Sequence, residues 1–275
     1  MKFAPSPQQL EQFARVSASR PVVLFYEMSH GDDKAGAACA TALVSAAKQE
    51  GGRLLWAARE DQVLVGPLTL FQRALQLRFA TRAGALAFVR SAAHDQALAG
   101  CSALQVSVLS PQPFALKVVT AVLARVLPWL PLDDTEDPAE EPGIGRLTIM
   151  PTREAAEALK AHPGPDATIV MINWLKFRDR AAYMRYGKVA LVTTHSIGAR
   201  LLCAARYFQV LIGNGGDPAP GRWDEFALMQ YPGRRAFFRM TALVRYRKGL
   251  ADREAGLAEN GQGLTVSVPL PEFVR

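Results

Sequence analysis

The chain contains a copy of itself. GGRLLWAAREDQVLVG begins at Gly51 and GARLLCAARYFQVLIG at Gly198, and eleven of the sixteen aligned positions are identical without a gap. Each copy must build the same local unit. The two units must then either stand as separate domains or bury each other's apolar faces. The offset of 147 residues also lays Val22-Val23-Leu24-Phe25-Tyr26-Glu27-Met28 over Ile169-Val170-Met171-Ile172-Asn173-Trp174-Leu175. Both are short apolar runs with β-branched residues, the pattern of buried strands.

The correspondence extends in both directions. Upstream, FAPSPQQLEQFA resembles IMPTREAAEALK, each a short helix entered near a proline. Ser6, Pro7 and Gln9 have the order of a capping box with proline at the first helical position. Thr152 is the corresponding cap, with Glu154 in the first turn. Downstream, the strand at 71–79 answers the strand at 223–231, helical patterns follow at 83–99 and 234–247, and Leu104–Val108 answers Leu264–Val268. Each copy therefore reads helix, then β-α-β-β-α-β. Such a unit forms a four-stranded antiparallel sheet with its helices on one face, leaving the other apolar face to be covered. A second copy is the natural cover. The expected fold is α+β: two ferredoxin-like βαββαβ repeats packed as a pseudo-dimeric barrel within one chain. Independent domains on a linker are the alternative. The expected organisation is residues 1–112 as a degenerate first repeat, 113–144 as an apolar helix with an acidic linker, and 145–275 as the second repeat.

The insertion at 113–143 has no counterpart inside either repeat. Residues 114–127 fit a helix ended by Pro128 and Pro131, with Lys117, Thr120 and Arg125 near one face. The run is too short and interrupted for a spanning helix, which needs about 20 apolar residues. It reads either as a helix buried against the barrel or as an interfacial membrane helix.

Composition narrows the class. The chain is 49% hydrophobic and 21% charged over 275 residues, a globular balance. Its net charge of +7 is unevenly spread, with an acidic run at 133–141 and a basic run from Arg234 to Lys248. Both runs read first as solvated surface. The three cysteines, Cys39, Cys101 and Cys203, show no CxxC or Cys/His ligand spacing. No disulfide framework, metal or cofactor is expected, and reduced thiols in a cytoplasmic protein are the expected setting. The N-terminus lacks the continuous apolar stretch of a secretory signal. Nucleic-acid binding is not expected, because Phe237, Phe238 and Tyr246 in the basic run have helical spacing and no recognition motif accompanies them.

In the second copy VMINWLKFRD, AAYMRYG, GARLL, VLIG, RWDEFALMQYP and DREAGL together resemble the uncharacterised domain family DUF 1330, over roughly residues 147–268. That family lies in the dimeric α+β barrel superfamily. The resemblance implies a ferredoxin-like fold with a cleft between sheet and helices, and it supplies no reaction. The first copy keeps the skeleton and loses the polar signatures: Tyr26 stands for Asn173, Gln72 for Asp224 and Arg73 for Glu225. The family's His-Arg pair before its AGL motif is here Asp252-Arg253.

Candidate chemistry therefore concentrates in the second copy. Asn173 is an amide in an apolar strand, so it satisfies backbone groups or faces a ligand. It shares a strand face with Met171 and Leu175, whereas Trp174 and Lys176 face the other way. Asp224 or Glu225, after Trp223, is a candidate general base. Alternatively these acids pair at the strand edge with Arg222 or Arg253. Tyr183 and Tyr186 share a helix face and offer hydroxyls or core packing. His195 is the candidate acid/base histidine, and a haem held by His195 is a lower-ranked alternative. Gly213-Asn214-Gly215-Gly216 reads as an inter-strand loop rather than a phosphate cradle. The function expected is binding of a small, partly apolar molecule by Asn173, Tyr186, Trp223 and Arg253. Cofactor-independent monooxygenase or isomerase chemistry at Asp224, Glu225 or His195 is the enzymatic form of that reading. The competing class is a non-enzymatic assembly or membrane-surface protein, peripheral at the inner face, that uses the 114–130 helix. The oligomeric state is open beyond the pseudo-dimer within the chain.

Overall fold

A computed structural model of the chain describes residues 3–111, 114–129, 135–136, 149–213 and 223–273. The first half runs α1 (Pro7–Ala14), β1 (Val22–His30), α2 (Asp33–Gln49), β2 (Arg53–Val65), β3 (Arg73–Phe79), α3 (Arg82–Val89), α4 (Ala92–Ala97) and β4 (Cys101–Pro111). Helix α5 (Phe114–Val126) leads toward the second half. That half runs α6 (Arg153–Ala161), β5 (Ile169–Phe177), α7 (Arg180–Ser196), β6 (Arg200–Gly213), β7 (Glu225–Tyr231), α8 (Arg234–Ala242), α9 (Val244–Lys248), α10 (Leu250–Gly256) and β8 (Leu257–Pro269).

Local sequence accounts for many of these boundaries. Ser6 Oγ accepts the Gln9 N–H at 3.2 Å and Gln9 Oε1 accepts the Ser6 N–H at 2.8 Å, completing the capping box of α1. Thr152, Asp32 and Asp179 cap α6, α2 and α7 through side-chain oxygens that accept first-turn N–H groups. Gly51 and Gly198, the first residues of the repeated block, have φ of +74° and +82°. A side chain is disfavoured in that region, so glycine at both positions sets the turn from helix into β2 and β6.

The two sheets do more than stack. All eight strands form one closed antiparallel barrel in the order β1-β3-β2-β8-β5-β7-β6-β4, with β4 pairing back on β1. The two seams, β2·β8 and β4·β6, are equivalents under the duplication: the second strand of one half meets the fourth strand of the other. Closure leaves neither half with an open sheet edge, which removes the main aggregation hazard of a lone four-stranded sheet.

Alternation along the strands divides the core in two. Phe25, Trp174, Phe226, Tyr207 and Trp223 pack inside the barrel. Residues one step away face the helices: Leu24, Tyr26 and Met28 in the first half, Ile169 and Met171 in the second. Two expected helices are broken. The stretch at 83–99 splits because Ser91 Oγ accepts the His94 N–H at 3.1 Å and begins a new helix. The stretch at 234–247 splits at Leu243, which is extended and bridges to Glu136 while Val244 N–H donates to the Thr135 carbonyl at 3.0 Å. On α5, Thr120 points inward, as does Leu127 just beyond its end, while Val118, Val119, Val122 and Val126 are exposed. Thr120 is thus on the packed side rather than on a solvated polar stripe. Among the described residues no helix is long and apolar enough to cross a membrane.

Candidate functional site

A cavity of about 550 Å³ lies between the β5–β7–β8 face and the helices of the second half. Its apolar wall includes Met171, Leu175, Met229, Phe237 and Leu264. Strand alternation explains the polar members. Asn173 lies two residues from Met171 and pairs across to Ala227, so both face the helices. Glu225 pairs with Leu175 and lines the same wall.

The equivalent volume in the first half is filled. Tyr26 occupies the place of Asn173, and Leu75, its cross-strand partner, occupies that of Ala227. The Tyr26 hydroxyl bonds His94 Nε2 at 3.0 Å, and its ring meets Phe88 edge-on at 6.5 Å. Burial pushes His94 down to about 4, so this imidazole is neutral at pH 7. Two substitutions at paired positions, from tyrosine and leucine to asparagine and alanine, clear the second half's space.

A polar chain crosses the cavity floor. Asn173 Nδ2 donates to the Met171 carbonyl at 3.1 Å, and Gln262 Nε2 donates to Asn173 Oδ1 at 3.3 Å. The asparagine therefore satisfies its own strand and also lines the cavity. Arg253, which is 5% exposed, donates to Gln262 Oε1, to the Ile149 carbonyl at 2.9 Å and to Met150 Sδ at 2.7 Å. Its guanidinium lies 5.8 Å from the Tyr186 ring centre. All of these partners are neutral, and among the described residues no carboxylate forms an ion pair with Arg253. Tyr186 and Tyr246 share a hydroxyl–hydroxyl bond of 3.0 Å, and burial raises the Tyr186 phenol well above its ordinary range. The Tyr186 phenol is therefore protonated at pH 7.

The helices that carry these groups are fixed by a close approach. A Cβ on Gly256 would lie 2.5 Å from the Tyr183 nitrogen. The Gly256 carbonyl accepts the N–H groups of Arg178 and Asp179 at 2.8 and 3.1 Å. Arg185 pairs with Asp252 at 2.7 Å, clamping α10 on α7 beside the cavity.

Of the other expected site residues, Glu225 lines the cavity, and Trp223, Asp224 and His195 do not. Trp223 is inside the barrel, 6.4 Å from the Trp174 ring. Asp224 is a strand-edge group: it pairs with Lys176 at 3.0 Å and accepts the Phe177 N–H at 2.8 Å. Glu225 pairs with Arg180 at 3.7 Å rather than with Arg253, and Arg222 lies outside the described residues. Residues 214–216 of the glycine-rich segment also lie outside them. His195 is buried on the last turn of α7, with Nδ1 bonded to the Leu191 carbonyl at 2.8 Å. Burial lowers its pKa. It is not on the cavity wall, so it does not suit an acid/base role there or a haem held in that space. Gln262, Tyr246 and Ala227 escaped the sequence reading. Only the pairing register brings Gln262 beside Leu175 and Ala227 beside Asn173.

No family model matches the chain, and no curated protein matches it. Among solved structures it is similar to a protein of unknown function from Rhodopseudomonas palustris, 24% identical, covering 44% of this chain and 96% of that one at a TM-score of 0.39. Chlorite dismutase from Candidatus Nitrospira defluvii is 10% identical over 96% of each chain, with a TM-score of 0.45. A candidate monooxygenase from Fusobacterium nucleatum is 10% identical over 92% of this chain and 93% of that one, with a TM-score of 0.48. All three are weak likenesses.

Proposed function

We propose that the second half binds a small, partly apolar molecule with an anionic or strongly accepting head group. The observation that carries this reading is Arg253, a buried cation on the wall of a largely apolar cavity whose hydrogen-bond partners among the described residues are all neutral. A buried charge without a counter-charge costs several kcal/mol, and an anion in the cavity would offset that cost. The apolar body would lie against Met171, Met229 and Phe237, and Asn173 and Tyr186 would orient the head. The motif resemblance of 147–268 to DUF 1330, and through it to the dimeric α+β barrel superfamily, supports the same cleft. If the bound molecule is also transformed without a cofactor, as in an isomerase or monooxygenase, Glu225 is the base to test. It is the one carboxylate on the wall among the described residues.

The test uses a panel of aryl carboxylates, with benzoate, phenylacetate and 1-naphthoate against their amides, followed by native mass spectrometry and thermal shift. Carboxylates are expected to bind at one per chain and to exceed their amides. Ala227→Leu restores the first half's side chain at this wall and is expected to weaken binding at least tenfold, about 1.4 kcal/mol, with the fold retained. Arg253→Gln is expected to erase the preference for carboxylate. Equal binding by wild type and Ala227→Leu would remove the cavity from consideration.

A second reading, docking on an anionic membrane surface, rests on α5. Val118, Val119, Val122, Val126 and Trp129 are all exposed, Trp129 by 86%, and recur on one side of the helix and its continuation. Such an apolar face suits insertion at the headgroup level. In vesicle flotation, binding lost in Val119→Asp/Val122→Asp supports this reading. Absence of flotation with anionic vesicles discards it.

A further inference from the structure

We propose that the first half holds a thiophilic d10 cation, Zn2+ or Cu+, on His30, Cys39 and Cys101. The three come from the end of β1, the middle of α2 and the start of β4, and their sequence spacing has no ligand pattern. The fold nevertheless brings their ligand atoms within 4.8 Å of one another, all in buried residues. Cys39 Sγ lies 3.6 Å from Cys101 Sγ, and Cys101 Sγ lies 3.3 Å from His30 Nε2.

These separations match those around a metal. With metal–sulfur bonds of about 2.3 Å and metal–nitrogen bonds of about 2.0–2.1 Å, tetrahedral geometry places sulfur about 3.8 Å from sulfur and about 3.6 Å from nitrogen. A disulfide would instead require the sulfurs to close to about 2.05 Å. Two thiolates and an imidazole are the donor set that selects soft cations over Mg2+ or Ca2+.

Two features of the backbone shape the site. The β1·β4 register shifts between Ser29 and His30, and this irregularity sets His30 opposite Cys101. On α2, a Cβ at Gly36 would lie 2.6 Å from Arg73 Nε and 3.2 Å from His30 Nδ1, so glycine lets the helix approach the ring. His30 is 4% exposed, and its Nδ1 has no hydrogen-bond partner among the described residues. Its Nε2 is the atom directed at Cys101 Sγ. The nearby Arg73 guanidinium does not preclude a cation. It is paired with Asp33 and, at 3.7 Å, with Glu272, and two thiolates neutralise a divalent ion.

The full chain, reduced and stripped with a chelator, is titrated anaerobically with Co2+ as a spectroscopic stand-in for Zn2+. In parallel, Cu+ is titrated in competition with a chromogenic chelator. One equivalent of at least one ion is expected to bind, with thiolate charge-transfer absorption in the Co2+ arm if the site is tetrahedral. A Cu+-only result assigns a three-coordinate site. The signal is expected to vanish in Cys39→Ser and Cys101→Ser and to persist in Cys203→Ser. In unmutated chain, bound Zn2+ or Cu+ is expected to shield Cys39 and Cys101 from alkylation, as mapped by peptide mass, without dependence on a variant's folding. Neither ion bound, binding that survives both cysteine substitutions, or equal alkylation with and without metal would overturn the assignment.

Discussion

Glu27 provides the sharpest test of how the two halves diverged. It faces the barrel interior, where the second half places Trp174, and its neighbour Glu60 stands where the second half places Tyr207. The equivalence is visible in the backbone: Glu60 N–H donates to the Gln72 carbonyl and Tyr207 N–H to the Asp224 carbonyl, both at 3.1 Å. Trp174 and Tyr207 make an edge-on ring contact of 5.9 Å. In the first half two carboxyl groups occupy that position. Glu27 Oε2 accepts from Gln105 Nε2 at 3.1 Å, Glu60 Oε2 accepts the Phe71 N–H at 3.0 Å, and Glu60 Oε1 has no partner among the described residues. Burial pushes Glu27 up from 4.5 to about 8, and burial together with Glu27 pushes Glu60 well above 4.5. The folded state then keeps a proton on Glu27 that the unfolded chain releases. Stability is therefore greatest below pH 4.5 with respect to this group and is lost as pH rises toward about 8. The slope is about 1.4 kcal/mol per pH unit for each extra proton held. Across the whole interval the loss from Glu27 reaches on the order of 5 kcal/mol. Glu27→Gln keeps an acceptor for Gln105 and removes the titration, and it also relieves Glu60. Urea unfolding at pH 5, 6, 7 and 8 is expected to show the wild type falling more steeply than the variant by at least one proton's slope. Parallel stability–pH curves would refute a protonated Glu27 in the barrel.

Two further predictions follow from the same geometry. Gly256→Ala drives a Cβ into the Tyr183 backbone, so it is expected to cost about 1–3 kcal/mol in urea unfolding and to weaken aryl carboxylate binding by displacing α10 and Arg253. His94 titrates with the opposite sign to Glu27. Its folded value of about 4 lies below the ordinary 6.5, so its contribution is fully present above pH 6.5 and is lost as pH falls to about 4. That loss is on the order of 3 kcal/mol, and His94→Phe is expected to flatten the acid limb of the stability curve measured by urea unfolding.

The duplication made the fold legible because periodicity and capping are local. The strands at 22–28 and 169–175, the caps at Ser6 and Thr152, and the turn glycines of the repeated block all follow from residues within a few positions of one another. Barrel closure was less visible, since β2·β8 and β4·β6 join residues about 200 and 100 positions apart, and no local pattern encodes which edge meets which. The site shows the same division. Strand parity grouped Asn173 with Met171 and Leu175 on one face without saying which side that face meets, and the resemblance in the second half singled out the residues around Arg253. Trp223 and Asp224 looked equally suitable in the sequence, but Trp223 packs inside the barrel and Asp224 engages Phe177 and Lys176. The His30, Cys39 and Cys101 cluster was invisible because its members are distant in sequence and are joined by an irregular register and a helix glycine.

The divergence of the halves is organised by spatial pairs rather than by scattered positions. On the helix side, Tyr26 and Leu75 change together to Asn173 and Ala227, and each pair is directly cross-strand. On the barrel side, Glu27 and Glu60 change together to Trp174 and Tyr207, and each pair is in electrostatic or ring contact. On the barrel side, changing one member alone carries a physical penalty: tryptophan beside Glu60 would abut a carboxyl with one oxygen unpartnered among the described residues. Changing both keeps each site internally consistent. The strand pairing and the two seams can therefore remain while the space between sheet and helices opens in one half and stays packed in the other. Such a barrel separates the requirement to close its sheet from the requirement to hold a ligand. The first half supplies seam partners for β6 and β8, and the second half is thereby free to carry a buried cation beside an open volume.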